Sequence, residues 1–155
     1  CTVLDTRKTT PGLRVLEKWA VALGGGGNHR MGLYDMVMLK DNHIDFAGGI
    51  PEAVARTKAY LAKNNRALAI EVETRNLTEV KAALEANVDR IMLDNFSISE
   101  TKEAVAFIAG RTEVESSGGI THHTLVPYAE CGVDFISVGA LTHHIKGLDM
   151  SLKAL

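Results

Sequence analysis

Five cations in this sequence sit among hydroxyl and glycine residues: Arg7, Lys8, His29, Arg30 and Lys40. Arg7-Lys8 lies inside Asp5-Thr6-Arg7-Lys8-Thr9-Thr10-Pro11-Gly12, directly after apolar Val3-Leu4 and before a Pro-Gly turn. A strand ending this way delivers charge and hydroxyl donors to the mouth of a sheet, where α/β proteins bind anions. Arginine grips a carboxylate or phosphate with two parallel N–H donors, and lysine supplies a compact charge. The plainer reading is solvated loop cations, the ordinary fate of an isolated charged side chain. A set placed at two strand ends and in the Gly-rich loop between them favours the anion site.

Two carboxylates, Glu73 and Asp94, each close an otherwise apolar run. So placed, they can hold ribose hydroxyls or a divalent cation, directly or through water. An internal ion pair with Lys8 or Lys40 is the alternative, and the two readings are compatible. Glu71 is expected to point away from Glu73 and ranks below it. Gly118-Gly119 and Gly139 follow the last two strands and lead into helical segments. Glycine there lets backbone N–H groups approach a phosphate, helped by a helix dipole; a simple tight turn is the competing account. His143 belongs to the loop after Gly139, whereas His122-His123 are expected at the surface. There is no Walker A loop, zinc-ligand spacing or nucleophile elbow. The set suits group transfer on a phosphorylated sugar with an anionic partner, run by positioning and electrostatics.

The elements that must hold these residues alternate. Strands are expected at 2–5, 36–39, 67–73, 90–93, 112–115 and 135–138. Helices are expected from Pro11 to Leu23, with Leu13, Leu16, Trp19-Ala20 and Leu23 recurring at helical spacing, and over 51–64, 76–86, 99–108 and 121–131. Asn76 and Ser99 are the expected caps. Gly24–Gly27 has no strand before it and reads as a mobile loop that lets His29-Arg30 reach the pocket. Strand–helix alternation implies a parallel sheet with right-handed crossovers. Polar or glycine residues after every strand favour an α/β, TIM-like barrel, open or incomplete at about six parallel strands. A doubly wound sheet, with its single switch point, is second.

The chain has 155 residues and a net charge of −2, so no global field draws it to nucleic acid or anionic lipid. No apolar run is long enough to span a bilayer. Cys1 and Cys131 form no C-x-x-C motif or disulfide framework, so a reducing cytoplasm is the expected compartment. The opening at Cys1 reads as a fragment or excised domain.

Six stretches together resemble quinolinate phosphoribosyltransferase: Asp5–Arg14, Gly25–Leu33, Lys40–His43, Leu93–Asn95, Glu115–Ile120 and Val138–His143. The resemblance runs from end to end. It implies the family's open α/β barrel as a catalytic domain over 1–155, and transfer of phosphoribose from phosphoribosyl pyrophosphate to quinolinate with decarboxylation and magnesium. It assigns Arg7, His29, Arg30 and Lys40 to the quinolinate carboxylates, and Lys8 to the sugar donor, with Lys40 near both substrates. Glu73 and Asp94 would meet ribose hydroxyls and the metal's water shell; Gly118, Gly119, Gly139 and His143 would receive the 5′-phosphate. It also implies a homodimer, or a larger assembly of dimers, in which an N-terminal sandwich domain covers the partner's site and donates an arginine. Without that domain the segment is expected to expose apolar surface and turn over weakly. A non-catalytic anion-binding fragment and a sister transferase with another acceptor are the competing functions.

Overall fold

Short apolar runs with charge only at alternate positions extend as six strands in the computed structural model, which describes residues 1–154. The strands are β1 (Thr2–Leu4), β2 (Val37–Leu39), β3 (Ile70–Thr74), β4 (Arg90–Asp94), β5 (Glu113–Ser117) and β6 (Phe135–Ser137). Every pairing is parallel, and the order across the sheet is β1-β6-β5-β4-β3-β2. The first strand thus pairs with the last, as in the closing contact of a barrel. The sheet stays open between β1 and β2.

The helices are α1 (Arg14–Leu23), α2 (Asp41–Ala47), α3 (Ile50–Lys63), α4 (Leu77–Glu85), α5 (Ile98–Ile108), α6 (Leu125–Ala129) and α7 (Ala140–His143). Register decides which strand residues meet them. Val72, Ile91 and Val114 align across β3–β5, and Ser116 aligns with Ile136. This row joins Val54, Val80, Ala83, Ala104 and Ile108 of α3–α5 in one buried cluster. Each buried aliphatic side chain contributes about 1.5–3 kcal/mol. The opposite rows read Glu71–Arg90–Glu113 and Glu73–Met92–Glu115–Phe135. Helices on one face and charge on the other are the signature of a barrel, not of a doubly wound sheet.

Several expected elements differ. Residues two apart on a strand share a face, so Glu71 and Glu73 point the same way and the expected opposition fails. Helix α1 begins at Arg14, because Gly12 turns left-handed (φ 79°). Its regular apolar spacing faces outward: Leu16, Trp19 and Leu23 are 57–73% exposed, while Glu17 and Lys18 are buried. Helix α2 replaces an expected loop, and the His43 side chain closes its start by accepting the Lys40 N–H at Nδ1 (3.0 Å). Ser97, not Ser99, caps α5, with Glu100 returning the bond. Nor does Gly24–Gly27 hang free. Gly27 N–H donates to Val3 O (2.8 Å), and Asp5 N–H donates to Gly27 O (3.2 Å). A Cβ on Gly27 would lie 2.7 Å from Leu4 Cδ2, so glycine permits this close pairing along the free edge of β1.

Candidate active site

The strand ends gather the cation loops at the mouth of the sheet. Arg7 and Arg30, 23 positions apart in sequence, come close enough for their charges to interact. Burial first, and then the Arg7 charge, lower the Arg30 pKa. Arg30 Nη1 donates to Met36 O (3.1 Å). Neither guanidinium makes a salt bridge among the described residues, and Arg7 Nε is buried without a hydrogen-bond partner. Like charges held together without a salt-bridge partner suit a preformed anion site.

Lys40, half-exposed at the end of β2, pairs with the nearly buried carboxylate of Glu73 on β3. The expected ion pair is therefore present, with Lys40 as the partner. Asp94, half-buried at the end of β4, accepts from its neighbour Asn95 (2.8 Å). Lys8 lies against α7, the short helix that holds His143 where a loop was expected: Thr142 Oγ1 donates to Lys8 O (2.7 Å). A Cβ on Gly139 would lie 2.7 Å from His143 Nε2 and 3.7 Å from Lys8 Cδ. Lys8, Gly139 and His143 thus form one cluster. Gly118 adopts φ 98°, and a Cβ there would collide with Asn95, itself left-handed at φ 58°. Its glycine packs the end of β5 against the Asp94-Asn95 turn. Gly119 is also left-handed (φ 59°). No helix starts directly at Gly119, since α6 begins only at Leu125; the expected dipole is missing there.

His29 departs most from its expected place. Its ring is buried on the charged face of the sheet, with Nε2 3.0 Å from Glu71 Oε2 and 3.4 Å from Glu115 Oε2. Arg90 completes the cluster, 3.2 Å from Glu115 Oε2, with its guanidinium over the Phe135 ring (3.8 Å). The three side chains His29, Glu71 and Glu115 have the outline of a metal site. However, His29 Nδ1 accepts the Arg30 amide hydrogen (2.7 Å), which leaves the ring proton on Nε2; in the charged ring Nε2 also bears a proton. Facing the carboxylates is therefore a donor, not a metal ligand. The ring acts as a strut inside the sheet and is not presented at the mouth.

Burial lowers the His29 pKa and the Arg30 N–H facing Nδ1 also disfavours the charged ring, but Glu115 and Glu71 favour it and raise the value to about 9. Glu71 is raised to about 7, by burial first and the Glu115 charge as well. Both folded values lie above the unfolded ones of about 6.5 and 4.5. Both groups therefore stabilise the fold at low pH and lose that stabilisation as pH rises through the folded values. The Glu115 pKa is lowered, despite burial, by His29 and Arg90, so its contribution fades only toward acid. Thermal unfolding is expected to shift to lower temperature as the pH rises from about 6.5 to about 9. Calorimetry across that range checks it, and an equal slope in His29→Gln would remove His29 as the cause.

The sequence reading passed over Glu115, Arg90, Asp5, Arg14 and Lys18. The signal available was alternation: Glu71-x-Glu73 and Glu113-x-Glu115 mark one face of two strands as charged.

The description "Quinolinate phosphoribosyl transferase, C-terminal domain" matches residues 1–153. A rice protein named nicotinate-nucleotide pyrophosphorylase [carboxylating], chloroplastic, is 52% identical over 97% of this chain and 45% of its own length. A Bacillus subtilis protein, named a probable nicotinate-nucleotide pyrophosphorylase [carboxylating], is 43% identical over 97% of this chain and 51% of its own. The crystal structure of NadC from Streptococcus pyogenes superposes with a TM-score of 0.93 at 45% identity, covering 99% of this chain and 53% of that one. The chain thus spans about half the length of the curated relatives it matches. Identity at this level over almost the whole chain reflects common descent, and the chain belongs to the quinolinate phosphoribosyl transferase family, whose C-terminal domain it matches.

Proposed function

We propose that the protein at its natural length transfers phosphoribose from phosphoribosyl pyrophosphate to quinolinate, releasing pyrophosphate and carbon dioxide and leaving nicotinate mononucleotide. The observation that carries this reading is the Arg7–Arg30 pair, held together without a salt-bridge partner among the described residues. Two guanidinium groups at one mouth suit an acceptor with two adjacent carboxylates. The Lys8–Gly139–His143 cluster suits the phosphorylated sugar.

Magnesium fits the oxygen donors of this site. The Asp94 carboxylate has only the Asn95 amide as a side-chain partner, while Glu73 is already neutralised by Lys40. Asp94 would therefore hold the ion, directly or through water, with Glu73 beside it. When bound, the ion offsets the charge of the departing pyrophosphate. Lys8 and Lys40 share that task as the ribose–pyrophosphate C–O bond breaks. Carboxylates of Glu73 and Asp94 stabilise the positive charge that develops on the ribose ring. Arg7 and Arg30 hold the dicarboxylate with its ring nitrogen toward that carbon, and the new N–C bond makes the nitrogen cationic. The carbon–carbon bond to the neighbouring carboxylate then breaks; its electron pair stays on the ring carbon beside the cationic nitrogen and is protonated there. No covalent lysine adduct is needed.

Product formation with quinolinate and phosphoribosyl pyrophosphate tests this reading. Equal use of nicotinate would favour the sister transferase, and binding without turnover would favour the anion-binding fragment. Arg7→Ala should mainly raise the KM for quinolinate, about tenfold or more, whereas Lys8→Ala should mainly lower kcat. Steady-state kinetics separate the two, and identical defects would dissolve the division of labour. A homodimer belongs to the same proposal. Its support is the outward apolar face of α1, with Val15, Leu16, Trp19 and Leu23 exposed. A cytoplasmic location is supported by two free thiols, Cys1 and Cys131.

A further inference from the structure

We propose that Arg14, on α1, is a positioning residue that fixes the spacing between the Arg7 and Arg30 guanidinium groups. The relevance of that spacing to a pyridine dicarboxylate rests on the function proposed above; the bonds that set it do not. Arg14 Nη2 donates to Arg7 O (3.2 Å), Arg14 Nη1 to Met31 O (3.3 Å), and Arg14 Nε to Thr9 Oγ1 (3.1 Å). One planar group thus holds the carbonyl of one anion-binding arginine and the carbonyl next to the other. The two loops come from opposite ends of α1, so nothing in their sequence separation brings them into register.

The neighbours of Arg14 on the helix extend the same clamp. Positions i, i+3 and i+4 share a helix face, which here is Arg14, Glu17 and Lys18. Glu17 Oε2 accepts from Thr10 N–H (3.0 Å), and Lys18 Nζ donates to His29 O (2.8 Å). The polar face of α1 is therefore turned into the molecule because it templates the two cation loops. That accounts for the inverted amphipathicity of the helix, which the apolar spacing alone misreads. Lys18 joins the bases of the two segments at Asp5 and His29 O, whereas Arg14 is the member that joins Arg7 to the carbonyl beside Arg30. All its bonds go to neutral oxygens, so it adds a third positive charge without neutralising the other two. A lysine at this position cannot reproduce the contact, because a single ammonium lacks the rigid fork that spans two carbonyls.

Without the fork, the contacts of Asp5 with Lys18, Asn28 and His29 still hold the bases of the two loops, but nothing links Arg7 to the Arg30-Met31 segment against their repulsion. In the protein at its natural length, Arg14→Lys and Arg14→Met are expected to raise the KM for quinolinate about tenfold. The KM for phosphoribosyl pyrophosphate should stay within about twofold, since the sugar cluster is held separately by Thr142. In an Arg30→Ala background, where the spacing no longer matters, the same substitutions should change the quinolinate KM by less than about twofold. Amide hydrogen exchange supplies a readout independent of turnover. Exchange over residues 7–10 and 28–32 should quicken together, while β3–β5 keep their protection. Additive kinetic effects, unchanged exchange in the two loops, or faster exchange through the whole sheet would each overturn the proposal. Should the unaltered protein fail to use quinolinate, the acceptor assignment falls, and the exchange pattern still decides whether Arg14 spaces the loops.

Discussion

Replacing Arg30 by alanine is expected to raise the KM for quinolinate about 100-fold while leaving thermal stability unchanged or slightly higher. A charge-assisted hydrogen bond lost from a partly buried site costs about 1.5–3 kcal/mol, and a bidentate grip on a carboxylate involves two. At about 1.4 kcal/mol per tenfold, that gives the stated effect. The stability arm follows from what Arg30 does without its ligand. Burial and the charge of Arg7 work against its ionised form and outweigh the charges of Glu71 and Asp35, and among the described residues its side chain bonds only to a backbone carbonyl, Met36 O. Removing it relieves a repulsion and leaves one carbonyl to water. Functional sites commonly carry such a stability cost. A lowered melting temperature with an unchanged KM would show instead that Arg30 serves the fold.

The same opposition explains what the sequence disclosed. Strands and the helices α3–α5 were legible because their apolar spacing and their packing agree: Val72, Ile91 and Val114 face the helices. The one-sided arrangement of polar strand ends disclosed the barrel for the same reason. Helix α1 was misread because its packing is set by polar bonds, and hydrophobic periodicity carries no record of them. Arg7, Lys8, Lys40 and Glu73 were identifiable as charges at strand ends. His29 was identifiable as important, but its place was not, since a histidine beside an arginine in a glycine-rich loop looks the same whether it points out or in. Only the tertiary structure brings Glu71 and Glu115 to its ring. Lys18 shows the limit most clearly: it sits on a surface-looking helix and is 1% exposed.

That burial leads to the largest stability effect expected in the chain. Lys18→Met should destabilise the protein by about 3–5 kcal/mol, the usual loss when one member of a buried ion pair is removed. Lys18 pairs with Asp5, itself fully buried. Without Lys18 the carboxylate keeps the Asn28 side-chain amide (2.6 Å) and the His29 N–H (2.9 Å). Those two neutral donors cannot offset a full charge out of water. Asp5→Asn in the same chain removes that charge while retaining an oxygen that can accept the His29 N–H. The double variant Asp5→Asn/Lys18→Met should therefore be less destabilised than the sum of its two single variants, by about 1–3 kcal/mol of coupling. Urea unfolding of the four proteins in the cycle measures it. A single-variant loss below about 1 kcal/mol would mean that the pair is effectively solvated. Strict additivity would mean that Lys18 acts through His29 O rather than through Asp5. With coupling, the Asp5 carboxylate at the head of the cation loop serves as the anchor to which the His29-Arg30 segment is tied, and Arg7 follows it by two residues. The charge that stabilises the fold and the charges that bind the anion then lie on one stretch of chain, separated only by which of them is given a partner inside the protein.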